Sequence, residues 1–117
     1  MNFSGSHILS IDQFSRSDVE KLFTIADSLE PYSSKIKVTR VLEGAILGNM
    51  FFEPSTRTRI SFGASFNLLG GNVREITEVS SSSLAKVESL VDTAKVLSGY
   101  SDIIVMRHPE EGSVQKF

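Results

Sequence analysis

The chain has 117 residues, of which 40% are hydrophobic and 22% are charged, a composition typical of a soluble protein with one buried core and too short for two full domains. Its 12 basic and 14 acidic side chains leave a formal net charge of -2, so the overall charge indicates neither a nucleic acid nor a membrane as partner. The absence of cysteine excludes disulfides, thiolate metal sites and a cysteine nucleophile.

The sequence also lacks the signals of a metal site or a membrane anchor. His7 and His108 are far apart and belong to no spaced ligand cluster, so we expect no metal site. We also expect no cofactor. Residues 1–5 do not form a basic segment that leads into an apolar one, and no apolar run approaches the length of a membrane span. We therefore expect a cytoplasmic protein.

The first predicted element is a helix with a marked start. Ser15 has the character of an N-cap, with Asp18 three residues later, and Pro31 is expected to end the helix. Between them, apolar residues recur at helical spacing: Val19, Leu22, Phe23, Ala26 and Leu29.

A strand followed directly by a helix is predicted next. Residues 45–52 are almost continuously apolar, which is typical of a strand covered on both faces inside a parallel sheet. Residues 53–55 end the strand. Residues 56–69 then follow helical periodicity, with apolar side chains on two faces. We expect this helix to be buried on two sides and to end at Gly70 and Gly71.

The strand and helix pattern continues to the end of the chain. Residues 72–77 and 103–106 are predicted strands, and residues 80–83 form a serine-rich loop. Between the loop and the last strand, a helix closed by Gly99 is marked by Val87, Leu90, Val91, Ala94 and Leu97.

This order predicts an α/β fold, with a mostly parallel sheet and helices on both faces. Ligands of such sheets usually bind beyond the carboxyl ends of the strands, where residues 53–59 and 107–109 emerge.

Ser55, Thr56, Arg57 and Thr58 stand where the first core strand passes into a helix. Hydroxyls, free backbone N–H groups, the helix dipole and a guanidinium can converge there, which predicts a phosphate site. The alternative is a helix capped by a hydroxyl residue, with a solvated arginine beside it.

The longer run Phe51-Phe52-Glu53-Pro54-Ser55-Thr56-Arg57-Thr58-Arg59 resembles the carbamoyl phosphate signature of the aspartate and ornithine carbamoyltransferases. Two further segments are similar to that family, Val105-Met106-Arg107-His108-Pro109 and the loop 82–89. Within the family, Glu53 and the Met-Arg-His-Pro ending favour the aspartate branch, because ornithine enzymes usually carry lysine at the position of Glu53.

The resemblance implies roles for individual residues. It assigns binding of carbamoyl phosphate to Ser55, Thr56, Arg57, Thr58, Ser82 and Arg107. The catalytic residues that it implies are Arg57, Thr58, Lys86 and Arg107. Lys86 also binds aspartate, from a loop that a neighbouring subunit inserts into the site. Without the resemblance, Lys86 is an exposed side chain after a serine-rich linker. His108 is expected to be structural, holding the loop at Arg107.

The implied reaction transfers the carbamoyl group of carbamoyl phosphate to L-aspartate, giving N-carbamoyl-L-aspartate and phosphate in de novo pyrimidine biosynthesis. The implied assembly is a homotrimer with shared active sites, and regulatory subunits are left open as further partners. Two alternatives remain: ornithine or another carbamoyltransferase, and a non-catalytic phosphate-binding or assembly module.

Residues 1–117 are interpreted as an incomplete carbamoyl phosphate-binding domain without the aspartate-binding domain, so the chain alone is expected to be inactive. The sequence departs from the family at Val87, where glycine is usual, and at Gly63, where glutamate is usual. A glycine inside a helix costs about 1 kcal/mol relative to alanine.

Overall fold

The structure is a computed structural model that describes residues 2–76 and 87–116, without the side chains of 87–90 and 116. The chain divides into two compact units, Met1–Lys37 and Val38–Phe117. Among the described residues, no helix has the length and apolar character needed to cross a membrane.

The first unit contains a 3-10 turn, Ile11–Gln13, and helix α1, Arg16–Ser33. Ser15 caps α1 as the sequence predicts: its hydroxyl accepts a 3.1 Å hydrogen bond from the backbone N–H of Asp18. The Asp18 carboxylate accepts a 2.9 Å bond from the backbone N–H of Ser15 in return, which completes a capping box.

The prediction that Pro31 ends this helix is wrong, because α1 continues through it to Ser33. A proline removes one backbone donor, and near the end of a helix that loss affects a single bond. The last turn is held instead by Ser34, whose backbone N–H donates to the carbonyl of Glu30 at 3.0 Å.

The second unit contains the predicted strands and helices in the predicted order. Their bounds are β1 Ile46–Phe51, α2 Thr56–Leu68, β2 Asn72–Ile76, α3 Val87–Ser98, β3 Ile103–Arg107 and α4 Ser113–Lys116. The strand order in the sheet is β2-β1-β3, and both neighbours pair with β1 in parallel. This confirms the α/β fold, whereas the short α4 had no recognised signal in the sequence.

Helices lie on both faces of the sheet, as predicted. On one face, Met50 and Phe52 form a buried cluster, and the half-buried Leu97 of α3 packs against it. The side chain of Phe51 points to the opposite face because adjacent residues of a strand alternate, and its ring lies 6.5 Å from the ring of Phe62 in α2. β1 is therefore the central, covered strand that its apolar sequence indicates.

Burial of α2 on two sides was also expected, and this prediction is wrong for the described chain. Gly63 and Phe66 are buried, whereas Ile60 is 53% exposed and Phe62 is 47% exposed. The apolar pattern therefore marks one face that packs on the sheet and another that stays open. At the end of α2, a Cβ added to Gly71 would lie 2.2 Å from the Phe66 ring, so this close contact requires glycine.

Candidate phosphate-binding site

The carboxyl ends of β1 and β3 bring two distant segments of sequence to the same edge of the sheet. Phe51 is in register with Arg107, and the backbone N–H of Phe52 donates a 2.8 Å hydrogen bond to the Arg107 carbonyl. The segments that follow the two strands therefore start side by side, as a parallel sheet requires.

The guanidinium of Arg107 lies against the residues that follow β1. Its Nη1 donates a 2.8 Å hydrogen bond to the hydroxyl of Ser55, and its Nε donates to the carboxylate of Glu53. The side chain remains 48% exposed, so one guanidinium is held in place while it is still accessible to a ligand. Guanidinium donors in such a fixed geometry suit recognition of a phosphate.

Ser55 is the N-cap residue of α2, but its side chain makes no capping hydrogen bond. Its backbone carbonyl accepts the first helical bond, 2.9 Å from the N–H of Arg59, while its hydroxyl is bonded to Arg107. The hydroxyl-capped helix that the sequence offered as the alternative is thus not the observed arrangement. The N–H groups of the first helical turn have no intrahelical acceptors, and the helix dipole gives this end a partial positive charge.

The remaining residues of the signature lie on this first turn. Thr56 and Arg57 are exposed and Thr58 is half-buried. An open pocket of about 300 Å³ lies beside the turn, lined by Phe51, Phe52, Glu53, Pro54, Ser55, Thr56 and Arg59. Its lining does not include Arg57, Thr58 or Arg107, so the structure gathers only part of the predicted phosphate-binding set around one cavity.

Glu53 is the residue of the site that sequence reasoning left without a role. Its carboxylate pairs with Arg107, whereas in the sequence Glu53 served only to distinguish branches of the family. The available signal was an acidic residue after one predicted strand and a basic residue after another, because parallel strand ends meet at one edge.

His108 follows Arg107 and packs within the domain. Its ring meets Phe52 edge to face, with centroids 5.7 Å apart, and its Nδ1 accepts a 3.0 Å hydrogen bond from the backbone N–H of Glu110. These contacts agree with the structural role expected for His108.

Ser82 and Lys86 lie outside the described residues, so their predicted roles stay predictions. Within 2–76 and 87–116, no group of three histidine, aspartate or glutamate side chains is placed to hold a metal ion.

Comparison with known proteins places the chain in one family. Residues 6–117 match the family described as aspartate/ornithine carbamoyltransferase, carbamoyl-P binding domain. The aspartate carbamoyltransferase catalytic subunit of Saccharophagus degradans is 72% identical over all 117 residues, and that of Cellvibrio japonicus is 71% identical. The chain spans 35% of the length of each of these two proteins, about a third.

The solved structures to which the chain is similar include proteins of the same kind as its sequence relatives. The catalytic subunit of aspartate transcarbamoylase from M. jannaschii has a TM-score of 0.84 and 43% identity, over 94% of this chain and 37% of that chain. Aspartate transcarbamoylase from Trypanosoma cruzi in complex with carbamoyl phosphate and aspartate has a TM-score of 0.82 and 39% identity, over 96% of this chain and 37% of that chain. The sequence match, the parallel α/β fold and the arginine at the start of α2 lead to one assignment: the chain belongs to the aspartate/ornithine carbamoyltransferase family.

Proposed function

We propose that the chain supplies the carbamoyl phosphate-binding part of an aspartate carbamoyltransferase, which transfers the carbamoyl group to the amine of L-aspartate. The observation that carries the proposal is the contact of Arg107 with Ser55 at the amino end of α2. This contact collects a guanidinium, a hydroxyl and the uncapped N–H groups of a helix at one point, which suits a phosphate dianion. The aspartate branch is supported by relatives that are 72% and 71% identical and carry that name.

In this proposal the phosphate binds the first turn of α2 through Ser55, Thr56, Arg57 and Thr58, and Arg107 bridges phosphate and carbonyl oxygen. Each charge-assisted hydrogen bond contributes roughly 1.5 to 3 kcal/mol. The cations also stabilise the oxyanion that forms when the neutral amine of aspartate attacks the carbamoyl carbon.

The tetrahedral intermediate collapses when the bond between the carbamoyl carbon and the phosphate oxygen breaks. The departing phosphate takes the proton that the amine loses, and no covalent bond to the protein forms. Binding both substrates side by side makes the reaction effectively intramolecular, a gain of up to roughly 7 to 11 kcal/mol in favourable cases. No side chain of the chain is needed as a nucleophile, and Thr58 is assigned to the carbonyl side of the substrate.

A neighbouring subunit completes the site in this proposal: Ser82 and Lys86 enter from the adjacent member of a homotrimer. Support comes from the resemblance of loop 82–89 to the family and from α2, where Ile60 and Phe62 are half-exposed beside the site. Exposed apolar side chains next to a ligand site suit a contact with another subunit. A cytoplasmic location belongs to the same proposal.

The experiment uses a hybrid subunit, in which this chain replaces the matching 117 residues of the Saccharophagus degradans relative. The hybrid and the unaltered relative are supplied with carbamoyl phosphate and either L-aspartate or L-ornithine, and product is quantified by chromatography. The proposal expects carbamoyl aspartate from both proteins. A hybrid that is folded by circular dichroism and yet makes no product, or makes only the ornithine product, contradicts it.

A further inference from the structure

Asn49 is a buried polar residue at the centre of β1, with 0% of its surface exposed. The neighbours on the same face of the strand, Leu47 and Phe51, are buried and apolar. The Asn49 side-chain nitrogen donates a 3.1 Å hydrogen bond to the backbone carbonyl of Arg59, whereas its side-chain oxygen has no partner among the described residues. A buried amide oxygen without a partner lowers stability, so stability alone does not explain an asparagine here.

Arg59 closes the first turn of α2 and is bound to the sheet at two points. Its backbone N–H donates to the carbonyl of Ser55 at 2.9 Å, and its own carbonyl accepts from Asn49 of the central strand. Its guanidinium forms a 2.8 Å ion pair with Glu75 of β2, and both side chains are about two thirds buried. The turn that carries Thr56 to Thr58 is therefore held against the sheet by two contacts. One is the neutral hydrogen bond from Asn49 of β1, and the other is the ion pair with Glu75 of β2.

We propose that Asn49 is a positioning residue for carbamoyl phosphate, acting through Arg59 on the first turn of α2. The inference rests on the proposed function, since that turn is where the phosphate is proposed to bind. Hydrogen bonds from backbone N–H groups weaken steeply when distance or angle departs from the optimum. A turn that is free to shift against the sheet therefore holds the phosphate less well, although no group that touches the ligand has changed.

The test replaces Asn49 by leucine in the hybrid subunit. Asn49→Leu removes the donor to Arg59 and also the unpartnered oxygen, so the thermal midpoint is expected to stay within a few degrees of the parent or to rise. The KM for carbamoyl phosphate is expected to rise about three- to tenfold, the equivalent of one neutral hydrogen bond. The kcat is expected to stay within about twofold, because the backbone N–H groups of the turn hold the phosphate in the substrate and in the transition state alike.

A second variant tests the ion pair between Arg59 and Glu75, which holds the same turn against β2. Glu75→Gln leaves an uncharged hydrogen-bond partner for Arg59 and is expected to raise the KM in the same direction, by about threefold or less. The matched control is Asn72→Leu, the same substitution at an exposed position of β2, which is expected to leave the KM unchanged.

The possible results separate the inference from the proposed function. If the parent hybrid forms no carbamoyl aspartate, the proposed function fails before any variant is measured. If the parent is active and a folded Asn49→Leu keeps the parental KM, the positioning role of Asn49 is overturned, whatever Glu75→Gln shows. A fall in kcat and thermal midpoint at unchanged KM also overturns it, because that pattern belongs to a residue that only supports folding. Should Asn49→Leu fail to fold, Asn49→Ala removes the same donor and is measured in its place, and a parental KM in that variant overturns the positioning role.

Discussion

Arg107 at the end of β3 donates a 2.8 Å hydrogen bond to the hydroxyl of Ser55 at the start of α2, although 52 positions separate the two residues. The contact follows from the parallel register, since β1 and β3 end at the same edge of the sheet. It uses the hydroxyl that would otherwise cap the helix. The amino end of α2 is consequently uncapped and lies beside a guanidinium, an arrangement that favours an anion.

Two serines at helix N-caps are expected to respond differently to the same substitution. Ser15 caps α1 through Asp18, so Ser15→Ala is expected to lower the free energy of unfolding by about 1 kcal/mol, measured by denaturant titration of the hybrid subunit. Ser55 makes no side-chain cap, and its hydrogen bond to Arg107 is exposed to solvent, so Ser55→Ala is expected to change the free energy of unfolding by less than about 0.5 kcal/mol.

Affinity for carbamoyl phosphate is expected to show the reverse order. Ser55→Ala should weaken binding about tenfold or more, because a hydroxyl bonded to a charged group is lost, while Ser15→Ala should leave binding unchanged. Equal losses of stability with equal affinities would contradict the assignment of Ser55 to the ligand.

Gly63 is expected to be a site where alanine stabilises the protein. It lies inside α2, and an added Cβ would be 3.7 Å or more from its nearest neighbours, which is ordinary van der Waals contact. Gly63→Ala is therefore expected to raise the free energy of unfolding by up to about 1 kcal/mol. The matched control is Gly48→Ala, whose Cβ would lie 2.8 Å from a Leu97 methyl carbon and is expected to cost about 1 to 3 kcal/mol. A destabilised Gly63→Ala protein would show that α2 needs glycine there for another reason.

The capping box of α1 is expected to make stability depend on pH at its acid end. The backbone N–H of Ser15, which donates to the Asp18 carboxylate, holds the pKa of Asp18 below its ordinary value of 3.8. Because the pKa is lowered in the folded state, the ionised Asp18 stabilises the fold above about pH 3.8. This contribution is lost as the pH falls through the lower folded pKa. Asp18→Asn should therefore unfold more readily than the parent at about pH 7, and this difference should shrink as the pH falls through the lowered folded pKa of Asp18. Asp27→Asn controls for removing a carboxylate from the same helix, and a difference for Asp18→Asn that persists at low pH would contradict the linkage.

Sharing of the site between subunits is tested by mixing two inactive proteins. One hybrid subunit carries Lys86→Ala and another carries Arg57→Ala. The two proteins are unfolded, mixed and refolded together. In the proposed trimer, some interfaces of the mixture join an intact Arg57 site to an intact Lys86 loop, and carbamoyl aspartate formation should return there. If Lys86 served its own subunit, every site would keep one lesion, and a mixture no more active than its parents would rule out the shared site.

The parts of the fold that follow from local pattern were predictable from the sequence. Continuous apolar residues identified β1, and Ser15 with Asp18 identified the start of α1. The end of α1 was misjudged, because a proline in the last turn costs one bond rather than the helix. The pairing of Glu53 with Arg107 was missed for a different reason: the register of two strands determines it, and no local pattern encodes that register.

The sequence of α2 predicted more burial than the described residues show. Its sequence is apolar on two faces, and only one of them packs on the sheet. An apolar sequence pattern predicts that a helix face is covered, but it does not identify what covers it. The same residues are therefore compatible with burial within a domain or with contact between subunits.

Binding of carbamoyl phosphate to the hybrid subunit, measured by calorimetry, tests the central claim most directly. Arg57→Ala and Arg107→Ala are each expected to weaken binding by roughly 1.5 to 3 kcal/mol, which is about tenfold or more, with the thermal midpoint little changed for the exposed Arg57. Arg16→Ala, at an arginine of α1 paired with Glu20, serves as the control and should bind like the parent. Unchanged affinity in both Arg57→Ala and Arg107→Ala would contradict the claim that the phosphate binds at the amino end of α2.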